Sequence, residues 1–529
     1  MDRRDFLTRN FVTRQSSLKP QPIELSADLS TYEQVLDKSK AAHLLRRISL
    51  GPTMELINLL EGKNAEEAVD LILGTENDPL NSGEDKLNWL QVQEEDPLDG
   101  LPLDIRFEIE GRMTSQYRQF VNWWLDTMRA ENNHHQEKLT LFLSAIWCIE
   151  FEYDTLSLIP PPLLYKNNMT LRKYRLGNYK ELAFEMTLDG AMLMYQSLNY
   201  STAKAPNENF MRELLELFTM GIGNYSEGDI REGARTLTGW RVASYKYKPA
   251  PNGIFNTYFS PADHDTQSKQ IMGNTISARS EFDNSEYQVK EQEVRKLIDI
   301  IFSERANQIA RFVCEKIYKY FVYSSPSDVP EVIISELSEV FISNNFNLRP
   351  VYKKLFTSKH FFSDEIIGAQ IKTPPELVIG LQRALNTIYK QGNTLLSAEA
   401  CSRLEMELYN PPNVGSWTGY RTWISTTTYP LRVLYSNEIL DSKDDADLIK
   451  LIRTFPEFTS LDNIINLLLL LLVPVQVDEE RLEFHRSVVI QSLDGSNWAS
   501  EIESGSKKSA DAIRELIKSM ILIPDFYLC

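Results

Sequence analysis

The sequence predicts a mainly α protein: a large multi-helix globular body with a small β-hairpin or long loop insertion near residues 241–280. Three observations predict it. Apolar residues recur at spacings of three and four, as in "PTMELINLLEG" and "NAEEAVDLILG", each closing on glycine, a common helix stop. Strand–helix–strand alternation, a GxGxxG turn and a P-loop are all missing from the sequence. The stretch "YKYKPAPNGIFNTYFSPADHDTQSKQIMGNTIS" differs from its surroundings, being rich in Pro, Gly, Asn and aromatics with short alternating runs.

Taken in order, residues 1–35 lack periodicity and read as an N-terminal arm. Helical patterns start at "DKSKAAHLLRRISL". The turn-rich "EDPLDGLPLD", residues 95–104, breaks them, and a long helix over residues 105–129 follows, carrying Trp123 and Trp124. "QEKLTLFLSAIWCIEFEY" reads as one nearly all-apolar, central helix. After the break "LIPPPLLYKNN" helix resumes, and it returns beyond the insertion over residues 287–385. "LYNPPNVGSWTGYRTWIS" is a proline- and tryptophan-rich loop, and residues from about 431 onward are helical again. The expected organisation is an arm over 1–35, a helical core over 36–435 that includes the insertion, and a C-terminal helical segment over 436–529 packed on that core.

Composition narrows the function classes. With 529 residues, 42% hydrophobic and 25% charged, the chain is of soluble globular type. A formal charge of −18 argues against nucleic acid and anionic membrane surfaces, both of which select basic proteins. The four cysteines are far apart and form no CxxC pair, so a zinc ribbon or disulfide scaffold is not expected. "IINLLLLLLV" stops before Pro474, well short of the roughly 20 residues that span a bilayer, and reads as a buried helix. No transmembrane segment is expected. Arg3, Arg4, Phe6 and Leu7 look like a twin-arginine export start, but the polar "TRQSSLKPQPIELSADLS" follows in place of an apolar h-region. No complete signal peptide is read here; the default location is cytoplasmic, with the periplasm or envelope as the alternative.

The densest polar pattern lies in "APNENFMRELLELFTMGIGNY". At about 100° per residue, Phe210, Met211, Leu214, Leu215, Leu217 and Phe218 fill one arc. Glu208, Asn209, Arg212, Glu213, Glu216, Thr219 and Met220 fill the other. Asn207 suits the N-cap, and Glu208 suits the positive helix end. In "YSEGDIREGARTLTGW", Ser226 and Asp229 form a capping-box-like pair, and Arg235 lies three residues after Glu232. The loop "SPADHDTQSKQIMG" then supplies Asp263, His264, Asp265 and Lys269. Three chemistries fit these residue types. His264 with Asp265 and a glutamate such as Glu208 could hold a divalent metal. His264 with a carboxylate could form a general acid–base pair. Alternatively, the charges form an ion-pair network that fixes the loop on the helices. HExxH and GxSxG signatures are missing, so no catalytic residue is assigned and no cofactor is named.

"NENFMRELLELFTMGIGNYSEGDIREGARTLTGW" closely resembles the signature of the bacterial "domain of unknown function 1800" family. "HLLRRISLGPT", "HDTQSKQIMG", "LRPVYKKLFTSKHFF", "IKTPPELVIGLQRAL" and "YNPPNVGSWTGYRTWIS" are similar to its other motifs, in the same order. The match assigns His43, Asn207, Glu208, Asn209, Arg212, Glu213, Glu216, Asp229, Glu232, Arg235, Trp240, His264, Asp265 and Lys269 to the signature. The resemblance implies a helical protein without a fixed activity. It also implies a protein partner from the sulfatase-like "domain of unknown function 1501" family, in an envelope- or secretion-associated two-component system. The sequence departs from the family pattern twice. Leu143, Ser144 and Ile146 stand where a W-H-x-H-F motif has its tryptophan and two histidines, and Gln267 stands where the loop has glycine. Both departures move weight from a metal-assisted hydrolase toward a protein whose polar cleft binds a partner or ligand.

Overall fold

In the computed structural model the helices form largely where the periodicity places them. The structure describes residues 28–91, 103–130, 134–154, 157–242, 256–280, 283–325, 329–392 and 394–529. Most of the arm, the greater part of the 95–104 break and residues 243–255 lie outside the described residues. Helices α1 (Lys38–Ile48), α2 (Met54–Leu60) and α3 (Ala65–Leu73) open the body. Asp37 caps α1, Thr53 caps α2, and Asn64 with Glu67 makes a capping box on α3. Next come α4 (Leu103–Arg129), α5 (His134–Ile146), α6 (Pro161–Tyr174), α7 (Tyr179–Thr187) and α8 (Gly190–Tyr195).

The nearly all-apolar helix is shorter than its composition suggests. It ends at Ile146, and the chain beyond it runs extended, Phe151 N donating to Tyr409 O at 2.7 Å before the two-strand pair β1 (Glu152–Asp154) and β2 (Ser157–Leu158). Trp147 follows the helix directly. Its ring stacks on Phe218 of the signature region with centroids 4.7 Å apart. Apolar periodicity cannot distinguish a buried helix from a buried extended segment, and packing decides between them here.

The signature region comprises α9 (Glu208–Glu213), a π-helical turn over Leu214–Thr219, and α10 (Glu227–Thr236). The insertion is two small antiparallel pairs. Strand β3 (Trp240–Val242) pairs with β4 (Thr257–Phe259), and β5 (Lys269–Ile271) pairs with β6 (Asn274–Ile276). The β5–β6 turn has Met272 and Gly273 at φ 48° and 80°, the two positive angles of a tight hairpin turn. A second π-helical turn, Val289–Val294, leads into α11 (Arg295–Glu304), followed by α12 (Ala306–Phe321), α13 (Glu331–Ser343), α14 (Leu348–Phe356) and α15 (Pro374–Ala384). Helix α16 (Ser397–Arg403), the tryptophan loop and α17 (Thr428–Asp441) lead to α18 (Asp445–Arg453), α19 (Leu461–Leu472), α20 (Glu479–Leu493), α21 (Trp498–Ser504) and α22 (Lys507–Ile521). A last two-strand pair, β7 (Lys390–Gln391) and β8 (Thr394–Leu395), precedes α16.

One apolar core runs through this whole series, from Leu29 to Tyr527. Helix α19 is the leucine-rich block, buried on most sides, and among the described residues no helix is long and apolar enough to cross a membrane. The C-terminal helices join the N-terminal ones through buried polar contacts. Arg46 of α1 donates to Val473 O at 3.0 Å, at the end of α19, and Lys372 N donates to Tyr527 O at 2.8 Å.

A second buried polar knot ties α4, α5 and α6. Glu137 and Arg172 have fully buried side chains and pair directly; Trp124 Nε1 donates to Glu137 at 2.8 Å and Asn81 Nδ2 at 2.6 Å. Such a pair adds little over an apolar replacement, but a lone survivor is costly. Glu137→Ala should therefore lose about 3–5 kcal/mol in urea unfolding, whereas the double change Glu137→Leu with Arg172→Met should lose clearly less.

Candidate functional site

The signature residues separate into two groups in space. Asn207 caps α9, its Oδ1 accepting from Phe210 N at 3.1 Å while its Nδ2 donates to Gln196 O. Asn209 reaches Gln196 Oε1 at 3.1 Å. Glu208 and Asn209 are exposed, and Glu213 is half-buried, its carboxyl pushed up by burial and then by neighbouring Glu216. Arg212 forms a two-pronged pair with Glu227 at 3.0 and 2.8 Å, with Arg212 35% and Glu227 67% exposed. This face is therefore a wet one. The end of the helix departs from the expected wheel: Thr219 and Met220 are buried. The π-turn is the reason. Its wider pitch rotates the last residues inward, with Met220 N bonding back to Leu215 O and Thr219 Oγ1 to Leu214 O.

The second group is buried and closes around a residue outside the signature. Glu293, on the second π-turn, has a fully buried side chain. Its Oε2 accepts from Lys269 Nζ at 2.8 Å and faces His264 Nε2 at 3.1 Å, while its Oε1 accepts from Arg279 Nε at 2.6 Å. His264 Nδ1 lies 2.9 Å from Thr238 O. Thr238 Oγ1 lies 3.2 Å from the same nitrogen, so both imidazole nitrogens have hydrogen-bond partners. Burial alone would push the Glu293 carboxyl up; the bond from His264 and the charge and bond of Lys269 outweigh it and hold the group below its ordinary range.

An adjoining set fastens this knot to α10. Arg235 holds Asp265 through Nε at 2.7 Å and Nη2 at 3.3 Å, and it holds Glu232 through Nη1 at 2.8 Å. Burial pushes the Asp265 carboxyl up, but the bond from Arg235, the Gln267 N–H and the charges of Arg235 and Lys269 together more than reverse that. Thr238 Oγ1 accepts from Asp265 N and donates to Arg235 O, both at 2.8 Å. Asp229 completes its capping box with Ser226 and accepts Met272 N at 2.6 Å, fixing the β5–β6 turn to the start of α10. Trp240 is buried on β3 and packs against Phe259, which also meets the His264 ring edge-on. Gly239 is required here: at φ +89° a Cβ would stand 2.8 Å from Ser260 O and 3.1 Å from His264 Cβ. Gln267 needs no glycine. It is not among the residues with positive φ, and its N–H donates to Asp265 Oδ1 at 2.9 Å.

Glu293, Arg279 and Thr238 were not singled out by sequence reasoning. A signal for Glu293 exists: Val289, Glu293 and Leu297 are spaced by four, so a glutamate occupies the apolar stripe. The arrangement is chemically saturated. Glu293, Asp265 and Glu232 face Lys269, Arg279 and Arg235, and both Glu293 oxygens are taken. Among the described residues no three His, Cys, Asp or Glu side chains are grouped so that they could hold a metal ion.

Elsewhere the fold leaves a cavity of about 350 Å³ between α1, α5, α12, residues 370–376 and the tryptophan loop. Phe142, Met406, Trp417 and Trp423 supply apolar wall, and Ile146, at one of the positions where the family pattern has histidine, lines it too. Ser416 and Tyr420 of the loop sit at φ 73° and 55°, a left-handed backbone that non-glycine residues rarely adopt. Such strain tends to collect at ligand clamps.

Two outcomes follow for stability. Because Glu293 is held below its ordinary value of 4.5, its stabilising contribution is complete above that pH and disappears as pH falls through the folded value. Glu293→Gln should lose about 3–5 kcal/mol at neutral pH by leaving cations unpaired, and should show a flatter decline in melting temperature between about pH 5 and 3. Arg212→Ala, on the wet face, should change stability by no more than about 1 kcal/mol in the same denaturation series.

The family model described as "Protein of unknown function (DUF1800)" matches residues 43–528. No curated protein and no solved structure matches the chain. With nearly its whole length matched, this chain belongs to the DUF1800 family.

Proposed function

We propose that this protein is a binding protein that takes a small-molecule ligand in the cavity beneath the tryptophan loop, with the signature network serving as scaffold. The observation that supports it most is that several buried polar atoms without a partner among the described residues converge on one cavity. In the signature network the charged side chains complete one another. Around the cavity, Arg47 Nε and Nη1, Tyr320 Oη and Ser416 Oγ are buried without a hydrogen-bond partner. Buried polar groups are seldom left unpaired, and a ligand or water completes them. A cavity of this size, with aromatic walls and a few convergent polar groups, has the make-up of a small-molecule site.

A protein partner belongs to the same reading. The sulfatase-like partner and the envelope setting that the family resemblance implies would make this chain the ligand-carrying member of a pair. A metal-assisted hydrolase centred on His264, Asp265 and Glu208 is the competing reading. Its ligands would have to be released first from Glu293 and Arg235, which hold His264 and Asp265.

Ala145 lines the cavity and is only partly buried, so Ala145→Trp should fill the space and leave the fold intact. In a thermal-shift screen, cavity ligands should raise the melting temperature of the wild type by a few degrees and leave Ala145→Trp unmoved. Stabilisers acting equally on both proteins would count against the cavity. A stoichiometric metal in the purified protein that disappears in His264→Ala would replace this reading with the hydrolase.

A further inference from the structure

Resting on that binding reading, we infer that the ligand is an anion with a flat or apolar body, its charged group against Arg47 and its body against the tryptophan loop. Three cationic side chains line the cavity: Arg47 from α1, and Lys316 and Lys319 from α12. They do so in a chain whose formal charge is −18, so the local sign is opposite to the global one. Glu376 is the one carboxylate side chain among the lining residues, and it is already committed. It pairs with buried Lys138 and caps α15 together with Thr373.

Arg47 makes the strongest demand. Its side chain is 2% exposed, its Nη2 donates to Ile366 O, and its Nε and Nη1 have no partner. Among the described residues no carboxylate stands within ion-pair distance of it, and burial pulls its pKa down, with Cys529 and Tyr318 opposing that shift. A buried guanidinium with open N–H groups is the side chain best suited to grip a carboxylate, phosphate or sulfate. Among the described residues Lys316 has no carboxylate partner and lies over the Phe312 ring at 4.8 Å, while Lys319 reaches Glu315 of its own helix, at 3.7 Å. Both lysines can therefore turn to an incoming anion without breaking a strong pair.

The remaining lining groups shape the body of the ligand. Trp417, Trp423 and Phe142 offer apolar surface, and Ser416 Oγ is one hydrogen-bonding group left over on that side. Ring faces suit a planar or cyclic body. The volume of about 350 Å³ falls at the small end of ligand cavities, which fits a compact molecule and excludes a polymer chain from full enclosure.

A matched set of probes tests this: 2-naphthoate, 2-naphthyl phosphate, and the neutral 2-naphthalenemethanol, titrated by tryptophan quenching and calorimetry against the full chain. At least one anionic probe should bind about tenfold or more tighter than the neutral one, the effect expected of a charge-assisted hydrogen bond. Whether the carboxylate or the phosphate binds more tightly identifies the anionic group. Lys316→Gln should weaken the anionic probes several-fold and spare the neutral one, while Trp417→Ala should weaken both alike. Arg47→Met should abolish the anionic preference; circular dichroism checks that it folds, and Lys316→Gln carries the test if it does not. Equal binding of neutral and anionic probes overturns the anion assignment while leaving the cavity reading standing. No binding of any probe to folded wild type overturns the ligand class proposed here, and failure of the Ala145→Trp screen as well removes the cavity itself.

Discussion

An ionised carboxylate cannot remain in a dry interior uncompensated, and at Glu293 the compensation comes from three residues lying 14 to 29 positions before it. His264 arrives from the end of the β4 connection, Lys269 from β5, and Arg279 from the segment after β6. The short strands of the insertion also bury Trp240, Phe259, Ile271 and Ile276 in the core. The described part of the insertion is thus held by apolar packing together with one carboxylate presented by a helical rod. Arg235 and Asp265 extend the attachment to α10, so the insertion, the rod and the signature helices share one electrostatic anchor. The two π-turns fall within this assembly, one presenting Glu293 and the other turning Thr219 inward. Widened turns of this kind allow a helix to re-aim a side chain that a regular pitch would misplace.

The same economy recurs elsewhere in the body. Glu137 and Arg172 lock the helices around Trp124, and Arg46 satisfies a carbonyl at the end of α19, which draws the leucine-rich helix against α1. These buried pairs are registry devices, because each is satisfied in only one relative placement of its helices. The cavity under the tryptophan loop is a second polar setting. There Arg47, Tyr320 and Ser416 keep polar atoms without a partner among the described residues, and Ser416 and Tyr420 hold a left-handed backbone.

The polar pattern of the signature network was legible in one dimension, whereas the cavity residues were not singled out, and the reasons are physical. The caps at Asn207 and Ser226 depend on neighbours within four residues, so their role follows from local spacing. His264, Asp265 and Lys269 stand out because charged residues in a loop need a destination. Glu293 was hidden in a strongly charged helix, where a glutamate in the apolar stripe resembles its exposed neighbours. The burial of Thr219 and Met220 was equally out of reach, since a fixed turn angle cannot anticipate a π-turn. The end of α5 at Ile146 was out of reach as well, and the next residue, Trp147, stacks on Phe218, seventy-one residues away.

What the sequence by itself determined is the helical class, the order of the elements, the caps and turn signals, and membership of a signature-bearing family. All of these rest on short-range spacing and composition. Only the tertiary structure decided that Glu208, Asn209 and Arg212 face water while His264 and Lys269 are sealed around Glu293. It also decided that the open cavity lies with Arg47, Phe142 and Trp417, away from the signature. Burial and charge pairing are properties of segments brought together from across the chain, and no local pattern carries them.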